Sequence, residues 1–147
     1  MTNTPLESMQ SITSDFKALT TWEEKYEHII FLGRALPSYP EEFRTELFKV
    51  KGCQAQVWLH PSFVDGRMLF EADSDATIVK GLLALLMRVY NNRTPSEVLA
   101  TEPTFVEDIG LHEHLSQNRT NGLFSMLKQV KMYATAYDAM ARLGASA

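Results

Sequence analysis

Cys53 is the only thiol in the chain and the side chain best suited to covalent chemistry. It follows Gly52, where helix-like sequence gives way to strand-like sequence, a place for a loop whose backbone can approach another molecule closely. Lys49 and Lys51 precede it, and neighbouring ammonium groups favour the thiolate, the form that attacks sulfur and carbonyl electrophiles. Gln54 and Gln56 add amide donors that can hydrogen-bond sulfur without competing as nucleophiles. The competing reading is a small buried hydrophobe, the usual lot of a free cysteine.

Two further groups carry polar chemistry. Asp73-Ser74-Asp75 stands ahead of an apolar stretch and suits either a partner's cationic groups and a proton, or plain capping of a helix. Arg119 lies in the polar string Leu115-Ser116-Gln117-Asn118-Arg119-Thr120-Asn121-Gly122-Leu123, read as a turn before a long helix, where a guanidinium can steady an anion or a developing thiolate or simply face solvent. His28, His60, His112 and His114 do not have zinc-motif spacing, although pairing of one of them with Cys53 stays open because such pairs meet in space and not in sequence. No serine-elbow, P-loop or dinucleotide glycine string occurs.

The elements that must position these groups follow from periodicity. After a loose lead, Ile12, Phe16 and Leu19 mark a short helix over 11–19. Thr21 and Glu24 have capping-box spacing before Trp22, Tyr26, Ile29 and Ile30, and Gly33 and Pro37 close that helix. Pro40 suits the first position of a short helix. Strand begins at Gln56. Asp65-Gly66 has tight-turn chemistry, and Met68, Phe70 and Ala72 form the apolar face of a hairpin, with Pro61 implying an interrupted or edge strand. The segment Ile78 to Leu86 is apolar on most sides and reads as the central helix. Thr94-Pro95-Ser96-Glu97 starts another helix, and Gly110 stops a short one over 105–109. A last long helix from about Thr120 carries Leu123, Leu127, Val130 and Ala134, and residues 144–147 should fray. The expected class is α+β: a small antiparallel sheet of about three strands packed in two layers against several helices.

With 147 residues, 45% hydrophobic and 22% charged, one domain over 1–147 is the expectation. A net charge of -4 offers no basic field for nucleic acid. One cysteine allows no internal disulfide, which suits a reducing compartment. The opening residues lack a signal-peptide pattern, and Leu82 to Met87, the longest apolar run, is too short to span a membrane, so a cytoplasmic location is expected.

Four strings taken together carry a resemblance: Trp22-Glu23-Glu24-Lys25-Tyr26, Gly52-Cys53-Gln54-Ala55-Gln56-Val57-Trp58, Asp73-Ser74-Asp75-Ala76-Thr77-Ile78-Val79-Lys80-Gly81-Leu82 and Arg119-Thr120-Asn121-Gly122-Leu123. In this order they resemble the SufE family of sulfur acceptors, which includes the similar CsdE proteins. The resemblance covers about residues 12–135 and leaves a C-terminal extension. It implies the SufE/IscU-like fold and a partner-dependent reaction. In that reaction a pyridoxal-phosphate cysteine desulfurase of the SufS or CsdA type carries sulfur as a persulfide, and Cys53 takes the terminal sulfur. The pyridoxal phosphate belongs to the partner, and this chain needs no cofactor or metal. The sulfur would pass to a downstream recipient such as an iron-sulfur scaffold complex. A carrier must shield its persulfide and then extend it, so a mobile Cys53 loop hinged at Gly52 is expected. Gln54 is expected beside the sulfur from its own amide chemistry, with Arg119 as a stabiliser of the sulfur and Asp75 as a loop-control or docking residue. A homodimer is compatible with this reading. Two other classes remain: a docking activator in which Cys53 is structural, and a thiol hydrolase or peroxidase acting alone.

Overall fold

A computed structural model describes residues 3–146. The chain opens with helix α1, Pro5–Lys17, whose Thr4 and Glu7 form a reciprocal capping box. The helix therefore starts well before residue 11, and the loose lead, from residue 3 on, is already its cap and first turns; Met1 and Thr2 lie outside the described residues. Helix α2, Trp22–Arg34, is capped by the Thr21 side chain. Glu24 turns to Thr20 instead of closing the box on Thr21. Two short 3-10 turns, Glu41–Phe43 and Glu46–Phe48, follow, with Pro40 just ahead of the first.

Strands β1, Val57–Val64, and β2, Arg67–Ser74, form one antiparallel pair with Val57 opposite Ser74 and Val64 opposite Arg67. Asp65 and Gly66 both take positive φ, 53° and 77°, the geometry of a type I′ turn that matches strand twist. Pro61 sits inside β1 without interrupting it, because a two-stranded sheet leaves every strand an open edge. Among the described residues the sheet has two strands, not about three, and single bridges extend it on each side, Lys49 with Trp58 and Met68 with Arg93.

Helix α3, Thr77–Tyr90, is the centre of the core: Leu82, Leu83, Val89 and Tyr90 are fully buried. It crosses α2 at two glycines. A Cβ on Gly33 would lie 2.7 Å from the Gly81 nitrogen, and one on Gly81 would lie 2.7 Å from the Ile29 carbonyl carbon with the oxygen closer still. Only bare backbone on both sides permits this approach. Helix α4, Pro95–Ala100, has the complete Thr94–Glu97 capping box. Short helices α5, Phe105–Asp108, and α6, Leu111–His114, flank Gly110 at φ 76°. Lys131 donates to the Val98, Leu99 and Thr101 carbonyls and so closes the end of α4.

Helix α7, Gln117–Ser146, packs against α4 and α3 with Leu123, Met126, Val130 and Ala134 buried, and its Tyr133 and Tyr137 rings meet Phe70 and Phe63 of the sheet. It begins three residues before Thr120, so Arg119 occupies its first turn and not a preceding loop. Ser116 explains the early start, since its hydroxyl accepts from the Arg119 nitrogen at 3.3 Å. The helix continues through Gly144 to Ser146, where fraying was expected, and Ala147 lies outside the described residues. Among the described residues no helix is long and apolar enough to cross a membrane.

Candidate functional site

The Cys53 loop, residues 51–56, leaves and returns to the sheet at one place. Val50 donates to the Val57 carbonyl at 2.8 Å, and the Lys49–Trp58 bridge continues the pairing outward. Gly52 takes φ 88°, a conformation that L side chains rarely adopt, and this tight bend brings Cys53 round to face α7. The Cys53 thiol donates to the Gly122 carbonyl at 3.6 Å. Ser125, one turn further on, donates to the Gly52 carbonyl at 3.4 Å. Gln56 and Asp75 hold the far end of the loop: the Gln56 nitrogen donates to Asp75 Oδ1 at 2.9 Å, and the Asp75 nitrogen donates back to the Gln56 carbonyl at 3.2 Å.

Cys53 opens on a cleft of about 420 Å³ walled by Ala55, Ala76, Val79 and Met126 on the apolar side and by Gln54, Ser116, Asn118 and Arg119 on the polar side. Cys53, Gln54 and Arg119, three of the residues singled out from sequence, therefore converge on one cleft. Gly52 and Asp75 stand behind it as supports of the loop. Asp75 is exposed and meets the loop backbone, not a cation.

Two readings of the charged groups are corrected. Lys49 and Lys51 do not activate the thiol: both ammonium groups pair with Glu46, at 3.3 and 3.7 Å. Burial instead pushes the Cys53 thiol above its ordinary value, so the resting form is S–H, the form the Gly122 carbonyl can hold. Nor does Asp73-Ser74-Asp75 cap α3 by side chains reaching its first turn. Ala76 is the N-cap, and its methyl has no acceptor to offer the first turn, while the two aspartates are committed elsewhere. Asp73 binds Arg44 at 2.8 Å and Lys80 at 3.3 Å, while the Ser74 hydroxyl accepts from the Ala76 nitrogen. Arg44 also lies over Trp58 and Tyr39, which fastens the segment before the loop to the sheet.

Sequence reasoning missed the Gly122 carbonyl and Ser125. Gly122 had a signal, since glycine inside a long helix marks a place where something approaches closely; here an added Cβ would touch Cys53 Sγ at 3.7 Å. Ser125 had none, because a helical serine gives no hint of a loop that arrives from a point 73 residues earlier.

Residues 10–134 match the SufE family, described as an Fe-S metabolism associated domain. The chain belongs to the SufE family. It is similar to an uncharacterized SufE-like protein of Rhizobium etli, 44% identical over 129 residues that cover 84% of this chain and 87% of the relative. The sulfur acceptor protein CsdE of Escherichia coli is 34% identical over 123 residues, covering 82% of this chain and 84% of that protein. A solution structure of a hypothetical protein from Thermus thermophilus superposes with a TM-score of 0.75 at 22% identity, covering 90% of this chain and 96% of that one, so the SufE-family chain shares its fold.

Proposed function

We propose that this protein is a sulfur acceptor and carrier that receives persulfide sulfur from a pyridoxal-phosphate cysteine desulfurase on Cys53, raises the desulfurase's turnover, and hands the sulfur on for iron-sulfur cluster assembly in the cytoplasm. The observation that carries the reading is the placement of Cys53 at the turn of a short pinned loop, over a cleft with room for an added sulfur. Family membership and the likeness to a named sulfur acceptor support it.

In the reaction, the Cys53 thiol gives up its proton and its thiolate attacks the terminal sulfur of the desulfurase persulfide. The sulfur-sulfur bond of the donor breaks, a new one forms to Cys53, and the desulfurase thiolate leaves and takes back a proton. There is no net oxidation or reduction. The chain needs no cofactor for this step. Because burial holds the thiol protonated, attack waits until the loop leaves its seat on α7 and the sulfur meets a more polar setting. Once loaded, a persulfide is safest where no second thiol can reach it, and Cys53 is the only cysteine of the chain.

The test is intact mass spectrometry after incubation with cysteine and a SufS- or CsdA-like desulfurase, with Cys53→Ser and a no-desulfurase control. The expected result is a reducible gain of one sulfur atom in the wild type alone, dependent on the desulfurase. If no sulfur is gained while desulfurase turnover rises equally with both variants, docking alone is the function. Turnover of a thiol substrate without any desulfurase would point to a stand-alone enzyme.

A further inference from the structure

Ser125 does not make the bond usual for a serine or threonine inside a helix. Thr13 and Thr135 donate to the carbonyls four residues back, Met9 and Lys131, each at 3.0 Å, the usual bond of a hydroxyl inside a helix. Ser125 reaches out of its helix to the Gly52 carbonyl. It also fills the space beside the Gly52 Cα, where a Cβ would stand 2.6 Å from Ser125 Oγ. Gly122 and Ser125 are three residues apart and share a face of α7, so two consecutive loop residues are gripped by two consecutive turns of one helix.

We propose that Ser125 is a positioning residue for sulfur transfer: by holding the Gly52 carbonyl it keeps the Cys53 thiol on the Gly122 carbonyl, and its release sets how often the thiol is presented to a donor. The role rests on the carrier reading of Cys53. The bond is a single exposed contact at 3.4 Å, and its loss frees a bend that has no side chain of its own to hold it. Among the described residues, none of the charged groups near the thiol is bonded to Ser125 or to the Gly52 carbonyl. Arg119 lines the cleft, Asp75 is bound to the Gln56 nitrogen, and Lys51 is paired with Glu46.

The experiment follows alkylation of Cys53 by iodoacetamide in the full chain as a function of pH, without any desulfurase. Ser125→Ala should react about three- to tenfold faster near neutral pH, the effect of one ordinary hydrogen bond on the fraction of open loop. Its pH profile should shift downward as water reaches the sulfur, whereas Ser125→Thr, which keeps the hydroxyl, should stay within about twofold of wild type. Gly52→Ala, strained at φ 88° and pressed on the same hydroxyl, should accelerate alkylation as well, and combining it with Ser125→Ala should add little. Equal rates for wild type and Ser125→Ala, an unmoved pH profile, or effects of the two substitutions that multiply would overturn the proposal. Sulfur loading by the desulfurase should rank the variants in the same order. Faster alkylation of Ser125→Ala with no sulfur ever appearing on wild-type Cys53 would leave the catch standing and remove the carrier reading instead.

Discussion

Gly81→Ala sets two physical effects of opposite sign against each other at the crossing of α2 and α3. Inside a helix, alanine is favoured over glycine by about 1 kcal/mol, so on helix propensity alone the substitution should stabilise the protein. The added methyl, however, would sit 2.7 Å from the Ile29 carbonyl carbon, with the carbonyl oxygen and Ile29 Cγ2 closer still, and the carbonyl, being backbone, cannot rotate away. Relief requires α2 to move off α3, and overpacking of this kind costs about 1–3 kcal/mol or more, with the upper end expected when the obstacle is main chain. The net loss should be about 2 kcal/mol. For a chain of this size that lowers the thermal midpoint by about 4–8 °C. Gly144→Ala, in the exposed last turn of α7 with nothing within 4 Å of its Cβ, is the matched control and should leave the midpoint unchanged or slightly raised. Calorimetry or circular dichroism melts of the three proteins decide the matter. A Gly81→Ala midpoint equal to or above wild type would falsify the claim that bare backbone at this crossing is required.

Acid sensitivity should centre on Asp73. Burial would raise its carboxyl, but hydrogen bonds from Arg44, the Ser74 backbone and Lys80 outweigh that and hold it below its ordinary 3.8. The stability it adds is therefore present above that ordinary value and is lost as pH falls through the lowered one, so urea midpoints of wild type should drop more steeply below about pH 4 than those of Asp73→Asn. Parallel curves for the two would show that the network adds nothing. Asp75→Ala removes the acceptor of the Gln56 amide, whose hydrogen exchange should quicken about fivefold, the worth of one hydrogen bond, while the Leu82 amide in α3 stays protected. An unchanged Gln56 rate would mean that Asp75 does not hold the loop.

Features encoded within a few residues were readable from sequence. Asp65-Gly66 carries its own turn, and Thr94 to Glu97 carries its own cap. The same Thr-Pro-x-Glu signature stands at Thr4 to Glu7, and weighing it equally would have placed the start of α1 correctly. Ser116 likewise offered a start for α7 ahead of Arg119. What stayed hidden depends on partners distant in sequence. Asp73 looks like a cap until Arg44 and Lys80 are seen to claim it, and Lys51 looks like an activator of Cys53 until Glu46 neutralises it. The thiol itself was legible as a candidate, and the family strings raised it above a buried core residue. Its protonation was not legible, because burial and the Gly122 carbonyl belong to the folded arrangement of loop on helix.

The closure of the loop by Val50 and Val57 also fixes how far sulfur can travel. Cys53 is three residues from one anchor and four from the other, and an extended chain covers about 3.3–3.6 Å per residue, so its Cα can swing no further than about 10–11 Å from Val50 while that bond holds. The protein is a short crane and not a long arm. On the carrier reading, a donor must bring its sulfur nearly to the foot of the loop, and a recipient must bring its acceptor to the same place. Two such partners, each needing the same small volume of space, would have to use it in turn, so the proposed function implies separate encounters for loading and unloading.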